Sequence, residues 1–387
     1  MRSFGRSSRG CKGWNSTVSA GNCISCHTRA GGAPYAGGVA FDTPLGVIHS
    51  TNITPDVQSG IGRWRLEDFK RAMHEGVAPD GRHLFPAFPY PSFSKISDAD
   101  IADLYAFLRT LKAEPAPAFR NDLLFSMRWP MAVWNWLQFT PGRFVPRGDQ
   151  TAEWNRGAYL VEGLLHCGEC HSPRNGMMAE RKERALQGGE LRADAGNGAV
   201  RRWSAVDLTS GDRGLSAWSV EDLTRYLQRG VCAKAGSFGP MNEVIVNSTR
   251  YLTSDDLRAA AVYIKSLRKE RPADSPPAMA DGQAPGAALY KDRCAKCHGP
   301  SGRGSLFSGP PVAGSAVVQW DDPASLINVI LFGPKLAPEL SYGQWETMRG
   351  YADSLDDQQV AALANFLRGA WGNRGAPITA AMVAAQR

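Results

Sequence analysis

The sequence has no apolar run that approaches the roughly 18 residues a membrane-spanning helix needs. Its longest candidates, Trp129 to Phe139 and Leu326 to Phe332, are too short, so any hold on a membrane has to come from something else. It also lacks a Ser-His-Asp set, a phosphate-cradling Gly loop and a dinucleotide-binding fingerprint. The chain alone is therefore not expected to oxidise or hydrolyse a substrate. Charge of one sign is in modest excess: the formal +7 over 387 residues permits docking on anionic lipid or an acidic partner, but more often marks only a solvated surface. No nucleic-acid partner is expected. Residues 1 to 20, rich in Ser, Gly and Arg, carry no helical period, and Met1 to Gly21 shows no apolar core of a signal peptide.

Cysteine is scarce, and its placement is informative. Six of eight cysteines fall in one pattern written three times: Cys23-Ile24-Ser25-Cys26-His27, Cys167-Gly168-Glu169-Cys170-His171 and Cys294-Ala295-Lys296-Cys297-His298. Cys11 and Cys232 are left over, to pair or to stand as thiols. Cys-x-x-Cys-His is a c-type haem attachment pattern. On one helical turn, positions i, i+3 and i+4 share a face. Two thiols can then bond the two vinyl groups of one porphyrin while the imidazole lies under the iron, where its partner on the other side sets much of the potential. A redox dithiol has no need of the His. A structural zinc site needs two such pairs roughly 12 to 20 residues apart, whereas these copies are separated by 144 and 127 residues. Covalent haem requires an oxidising compartment, so export is expected.

The motif heads a repeat. A middle helix, Trp64 to Gly76, has a counterpart at Trp218 to Gly230 with Trp, Glu-Asp, Arg and Gly at equal offsets, and a looser one at Trp320 to Gly333. Each copy closes with an amphipathic helix: one N-capped by Ser97, one running from Thr253 to Leu267, one beginning near Ser354. Between middle and closing helices stand Met241, in Gly239-Pro240-Met241-Asn242, and Met348, the candidate sixth ligands. The matching segment of the first copy reads Pro86-Ala87-Phe88-Pro89-Tyr90, without Met. There Met73, His74, His83 or His49 would have to ligate, or the iron is five-coordinate. Three Trp gather in Met127 to Phe139, either packing on this chain or forming an aromatic anchor for a partner or a membrane interface.

Several segments resemble the triple-haem cytochrome c subunits of bacterial membrane-bound dehydrogenases for alcohols, gluconate, sorbitol, fructose and aldehydes. These are Thr43-Pro44-Leu45-Gly46, Ser50 to Asp56, Gly60 to Trp64, Glu153 to Gly163, His298-Gly299 and Gln359 to Asn365. The resemblance covers about residues 21 to 372. It implies an all-α fold of three tandem cytochrome c domains (10–112, 151–268 and 282–372) joined by Pro-rich linkers at 113–150 and 269–281. It implies three covalent haem c groups on Cys23, Cys26, Cys167, Cys170, Cys294 and Cys297, with iron held by His27, His171, His298, Met241 and Met348. The family reads Pro-Ala-Met-Pro-Tyr where this chain has Phe88. Implied partners are a flavin, quinoprotein or molybdenum catalytic subunit as donor and ubiquinone or a terminal oxidase as acceptor, on the periplasmic side of the inner membrane, with contact to the membrane surface. Two other readings stand beside it: a peroxidase-like enzyme using an open iron in domain one, and a free-standing soluble carrier.

Overall fold

The computed structural model describes residues 18–43, 46–117, 119–123, 129–194, 200–211, 214–267, 285–305, 307–341, 343 and 345–387, with backbone alone at Trp129 and Asp194. Cys11, Pro44, Leu45, Met127, Arg128 and the segment 269–281 lie outside the described residues. Contacts divide the chain into two units. The first comprises Met1–Arg147, Glu162–His166 and Asn247–Thr253; the second Gly148–Val161, Cys167–Val246 and Ser254–Arg387.

In the first unit the motif turn α1 (Cys23–His27) leads to strands β1 (Ala40–Thr43) and β2 (Gly46–His49), which pair antiparallel. The middle helix α2 (Leu66–Glu75) ends where Gly76 turns left-handed at φ 66° and returns its N–H to Ala72 O. A β-carbon at Gly76 would lie 2.8 Å from the Tyr90 ring, so both the backbone angle and the space demand glycine. The short helix α3 (Tyr90–Phe93) precedes α4 (Asp98–Thr110), where Ser97 Oγ accepts the Asp100 N–H, as its N-cap position requires. Ile101, Leu104 and Leu108 make the buried stripe of α4. The chain beyond α4 folds back: Asn52 donates to Glu114 O at 2.8 Å, and β3 (Asp122–Leu123) joins the edge of β2. In α5 (Trp129–Gln138) Trp134 is buried, its ring 6.2 Å from Tyr90, while Trp136 is 81% exposed. The Trp cluster thus serves both packing and surface.

The second unit holds two copies of one plan. In the first, α6 (Ala152–Tyr159) leads to the motif turn α7 (Gly168–His171). The hairpin β4 (Gln187–Asp194) and β5 (Val200–Asp207) comes next, then α8 (Val220–Arg229), the two-residue strands β6 (Val231–Cys232) and β7 (Ala235–Gly236), α9 (Pro240–Asn247) and α10 (Ser254–Ser266). In the second, α11 (Pro285–Arg293), the motif turn α12 (Ala295–His298), α13 (Ala316–Gln319), α14 (Ala324–Phe332), α15 (Asp357–Gly369) and α16 (Ala380–Ala384) run in order. The leading helix crosses the closing helix in the same way both times. A β-carbon at Gly157 would meet Ala259 O at 2.0 Å, and one at Gly286 would meet Ala362 O at 2.1 Å, so backbone lies on backbone and only glycine fits. Arg156 adds a two-pronged bond to the buried Asp256 at 2.7 and 3.1 Å.

The β4–β5 hairpin ties the two copies of this unit together. Ser204 N–H donates to Ser325 Oγ at 3.0 Å, Ser325 Oγ to Ser204 O at 2.8 Å, and Asn328 to Arg202 O at 2.8 Å, beside an Arg202–Asp322 ion pair.

Among the described residues helices take up 43% and strands 11%, and the strands form three separate antiparallel sheets; the expectation of an all-α fold is therefore wrong. The strands escape a sequence reading because they are short and charged. β4 reads Gln-Gly-Gly-Glu-Leu-Arg-Ala-Asp, and its Leu191 is paired with Trp203 across the hairpin. Long connections that carry so few apolar residues still have to satisfy their backbone N–H and C=O groups, and local hairpins do so without a core pattern.

Candidate functional site

All three motifs fold as a helical turn. Cys23 through His27 are helical throughout. In the others the His N–H bonds the carbonyl of the first Cys at 3.0 Å, His171 to Cys167 and His298 to Cys294. Both thiols and the imidazole of each motif are thereby drawn onto one turn. Among the described residues none of the six motif cysteines is in a disulfide, nor do three or more His, Cys, Asp or Glu gather as for a bare metal ion.

The histidines share a second feature that sequence spacing does not show. His27 Nδ1 lies 2.6 Å from Thr51 O, His171 Nδ1 2.7 Å from Val206 O, and His298 Nδ1 2.7 Å from Pro310 O. A carbonyl only accepts, so Nδ1 must carry the proton. Nε2 is left with its lone pair, and the ring is held at a fixed angle, which is how protein orients an imidazole toward iron or another metal. Burial pushes the pKa of all three imidazoles down, against the raising effect of that carbonyl bond; they stay neutral, the ligating form. Burial likewise pushes the thiols up, Cys23, Cys170 and Cys294 to about 11 and Cys167 to about 12. These cysteines are poor thiolates, unlike the electropositive, partly ionised thiols of redox dithiols.

Between the middle and closing helices the copies differ. In the second copy Met241, the second residue of α9, packs half-buried against the Ile245 and Leu340 cluster, as Tyr226 and Val231 do. Its neighbour Asn242 is pinned by Ser237 Oγ at 2.7 Å and gives its amide N–H to Lys335 O at 2.9 Å. In the third, Met348 lies in an extended segment against the core of α14 and α15. Two residues before it, Glu346 comes within 3.9 Å of Cys297 Sγ, so the Met348 segment passes beside the motif turn. In the first, Phe88 occupies the corresponding loop, its ring 5.6 Å from Phe93 and 6.4 Å from Tyr90.

Of the other ligand candidates of the first unit, His74, His83 and Met73 are engaged elsewhere, while the buried His49 Nδ1 has no protein partner. His74 is buried, with Nε2 3.1 Å from Ile96 O and Nδ1 3.9 Å from Asp98. His83 Nδ1 receives the Asn135 amide N–H at 2.9 Å, which leaves its proton on Nε2. Met73 is buried in α2. His49 stacks on Phe119 at the end of β2, two residues before the Thr51 that holds His27. Cys232 is a buried thiol that accepts the Lys234 N–H.

Three backbone carbonyls, of Thr51, Val206 and Pro310, were missed by sequence reasoning, because a backbone acceptor has no residue signature. The turn-rich Ser50 to Asp56 stretch around Thr51 was the one visible hint. A fourth residue, Trp203, was missed too. It stands on β5 three positions before Val206, and its ring packs on Gly239 just ahead of Met241. Its buried Nε1–H has no protein partner, an arrangement that costs free energy unless another group accepts there. The set fits a haem: two thiols and an oriented Nε2 on one turn, and an unmatched indole donor on the strand whose Val206 carbonyl holds the imidazole.

A model of the Cytochrome c family matches residues 16–112 and 283–371. Over 370 residues the chain is 40% identical to the alcohol dehydrogenase (quinone), cytochrome c subunit, of Gluconobacter oxydans (strain 621H), covering 91% of this chain and 76% of that protein. It is 39% identical over 391 residues to the gluconate 2-dehydrogenase cytochrome c subunit of Pantoea cypripedii, covering 95% and 87%. It is 33% identical over 403 residues to the fructose dehydrogenase cytochrome subunit of Gluconobacter japonicus, covering 93% and 79%.

Proposed function

The chain belongs to the family of cytochrome c subunits of bacterial dehydrogenases, and from that premise we propose that it carries three haems in series and relays electrons from a dehydrogenase catalytic subunit to a respiratory acceptor. It is an electron-transfer protein with covalent haem c. The proposed haem domains are 10–112, 151–268 and 282–372. The proposed partner is a flavin, quinoprotein or molybdenum dehydrogenase, the acceptor ubiquinone or a terminal oxidase, and the place the periplasmic face of the inner membrane. No helix among the described residues is long and apolar enough to cross a membrane.

The observation that supports this best is the triple recurrence of one geometry: a Cys-x-x-Cys-His turn whose imidazole gives Nδ1–H to a backbone carbonyl. The thiols of Cys23, Cys26, Cys167, Cys170, Cys294 and Cys297 would anchor the groups. His27, His171 and His298 would offer Nε2, and Met241 and Met348 a thioether sulfur from the other side. The bound haem supplies one-electron iron chemistry. The protein's part is to fix the ligands, keep the imidazoles neutral, and hold the second and third sites at a set spacing through the Ser204–Ser325 and Arg202–Asp322 contacts. Trp203 Nε1–H, buried without a protein partner, would offer the bound group a hydrogen-bond donor.

The test is purification of the tagged full chain from its native host. The expected preparation retains a large dehydrogenase subunit, and its haem absorbance turns to the reduced form when that subunit's substrate is added. A preparation that contains no such subunit, and whose haems no dehydrogenase of the host reduces, would favour a free-standing carrier.

A further inference from the structure

The middle helix and the loop after it are built alike in the first and second copies. α2 ends at Gly76 and α8 at Gly230, both left-handed, at φ 66° and 74°. The chain then doubles back, with Val77 bridged to His83 in one copy and Val231 paired with Gly236 in the other. The return closes with the same hydrogen bond at the same length: Leu84 N–H to Gly76 O at 2.7 Å and Ser237 N–H to Gly230 O at 2.7 Å. Counting four residues on from that bond gives Phe88 in one copy and Met241 in the other. The equivalence comes from the backbone of this chain.

We infer that Phe88 fills the position of the thioether ligand, so that iron bound at His27 has no side-chain sixth ligand and presents an open, aromatic-walled coordination site for a small uncharged ligand. This rests on the proposal that the first motif carries a haem. Three of the four candidate substitutes are unsuited. His74 has its two ring nitrogens facing Ile96 O and Asp98, His83 Nδ1 accepts from Asn135 so that its Nε2 carries the proton, and Met73 sits at the α2 position matched by Leu227 of α8. His49 lies two residues before the Thr51 that holds His27 and stacks on Phe119; its buried Nδ1 has no protein partner, so His49→Ala is the control, and carbon monoxide stoichiometry raised by that variant would assign the sixth ligand to His49 and overturn the open site. The loop is rigid rather than adaptable. Phe88 N–H bonds Phe85 O at 3.0 Å and Tyr90 N–H bonds Phe88 O at 2.7 Å. Tyr90 is fully buried and its hydroxyl donates to Asn135. The Phe88, Tyr90 and Phe93 rings offer no charge partner, so an anion or a cation would be desolvated without compensation. A neutral diatomic such as carbon monoxide suits the site.

The test uses the full-length holoprotein, first counted for covalent haem, then reduced and titrated with carbon monoxide. The expected result is one carbon monoxide per chain carrying three haems, with one high-spin ferric signal in three before reduction. Phe88→Met should abolish both, and Met241→Phe should raise the stoichiometry to two. A chain with three haems, all low-spin and none binding carbon monoxide, overturns the open site while leaving the electron-relay reading intact. Undiminished binding in Phe88→Met overturns the assignment to Phe88. A wild-type chain without haem on Cys23 and Cys26 overturns both this inference and the three-haem reading.

Discussion

The two sides of the three motif turns were solved differently. On the histidine side the answer is the same each time: a helical turn, a neutral imidazole and a backbone carbonyl at 2.6 to 2.7 Å. At the position proposed for the far ligand there are three answers: an aromatic ring at Phe88, a helix-borne Met241 and a loop-borne Met348. Attachment and orientation tolerate no variation, because a porphyrin must be bonded and its iron approached along one line. The far ligand is where potential and reactivity are set, and there the copies have diverged.

The sharpest way to break the uniform side is the double substitution Cys167→Ser and Cys170→Ser. One site in three should then go unfilled, with haem per chain, read as the pyridine haemochrome, falling by about one third. The apolar core around α7 should lose cooperativity, since the haem supplies packing there. Full haem content in this variant would mean that the second motif is not an attachment site.

The varied side is sharpened by Met241→Phe, which copies the first site into the second. Losing a thioether should lower one of three midpoint potentials by on the order of 0.1 V, a modest part of the ~0.8 V that axial ligation spans. Three unchanged waves in protein-film voltammetry would exclude Met241 as a ligand.

The fold was legible in sequence wherever side chains carried the signal. Ser97 was read as the cap of α4 and is. Gly76 and Gly230 were read as helix stops and adopt the left-handed turn. The third closing helix was placed at Ser354 but begins at Asp357, because Asp356 and Gln359 form a reciprocal capping box that a lone Ser does not. The hairpin β4–β5 was not legible, because Glu190, Arg192, Arg201 and Arg202 break the apolar alternation that a strand reading needs. Nor were the carbonyls of Thr51, Val206 and Pro310. Their role depends on where loops of 12 to 35 residues return, which is a tertiary matter.

Smaller effects separate the middle helices. His74 in α2 is buried and matched in α8 by Gln228. Desolvation first, then the nearby Arg143, push its pKa down to about 4. As pH falls from 6.5 toward 4 the unfolded chain binds a proton that the fold refuses, so stability is lost over that window, by roughly 2–3 kcal/mol. Urea unfolding of His74→Gln should lack this part of the acid sensitivity, and equal pH slopes in both proteins would contradict it. Smaller again, Ser219 Oγ caps α8 by accepting the Asp222 N–H at 3.0 Å, whereas α2 has Arg65 in that place. Ser219→Ala should cost about 1 kcal/mol and Arg65→Ala only a few tenths. The Arg65 backbone N–H that Asp68 accepts at 3.0 Å survives Arg65→Ala, so equal losses would show that the Arg65 side chain, 3.3 Å from Asp68, contributes as much as the Ser219 cap.

The most direct measurement is the intact mass of the mature chain, made alongside the haem-attachment machinery and taken under denaturing conditions. Three haem additions that survive acid and denaturant are expected, each lost singly when one Cys pair is replaced. A chain that weighs only its amino acids, its colour gone into the solvent, would contradict the account.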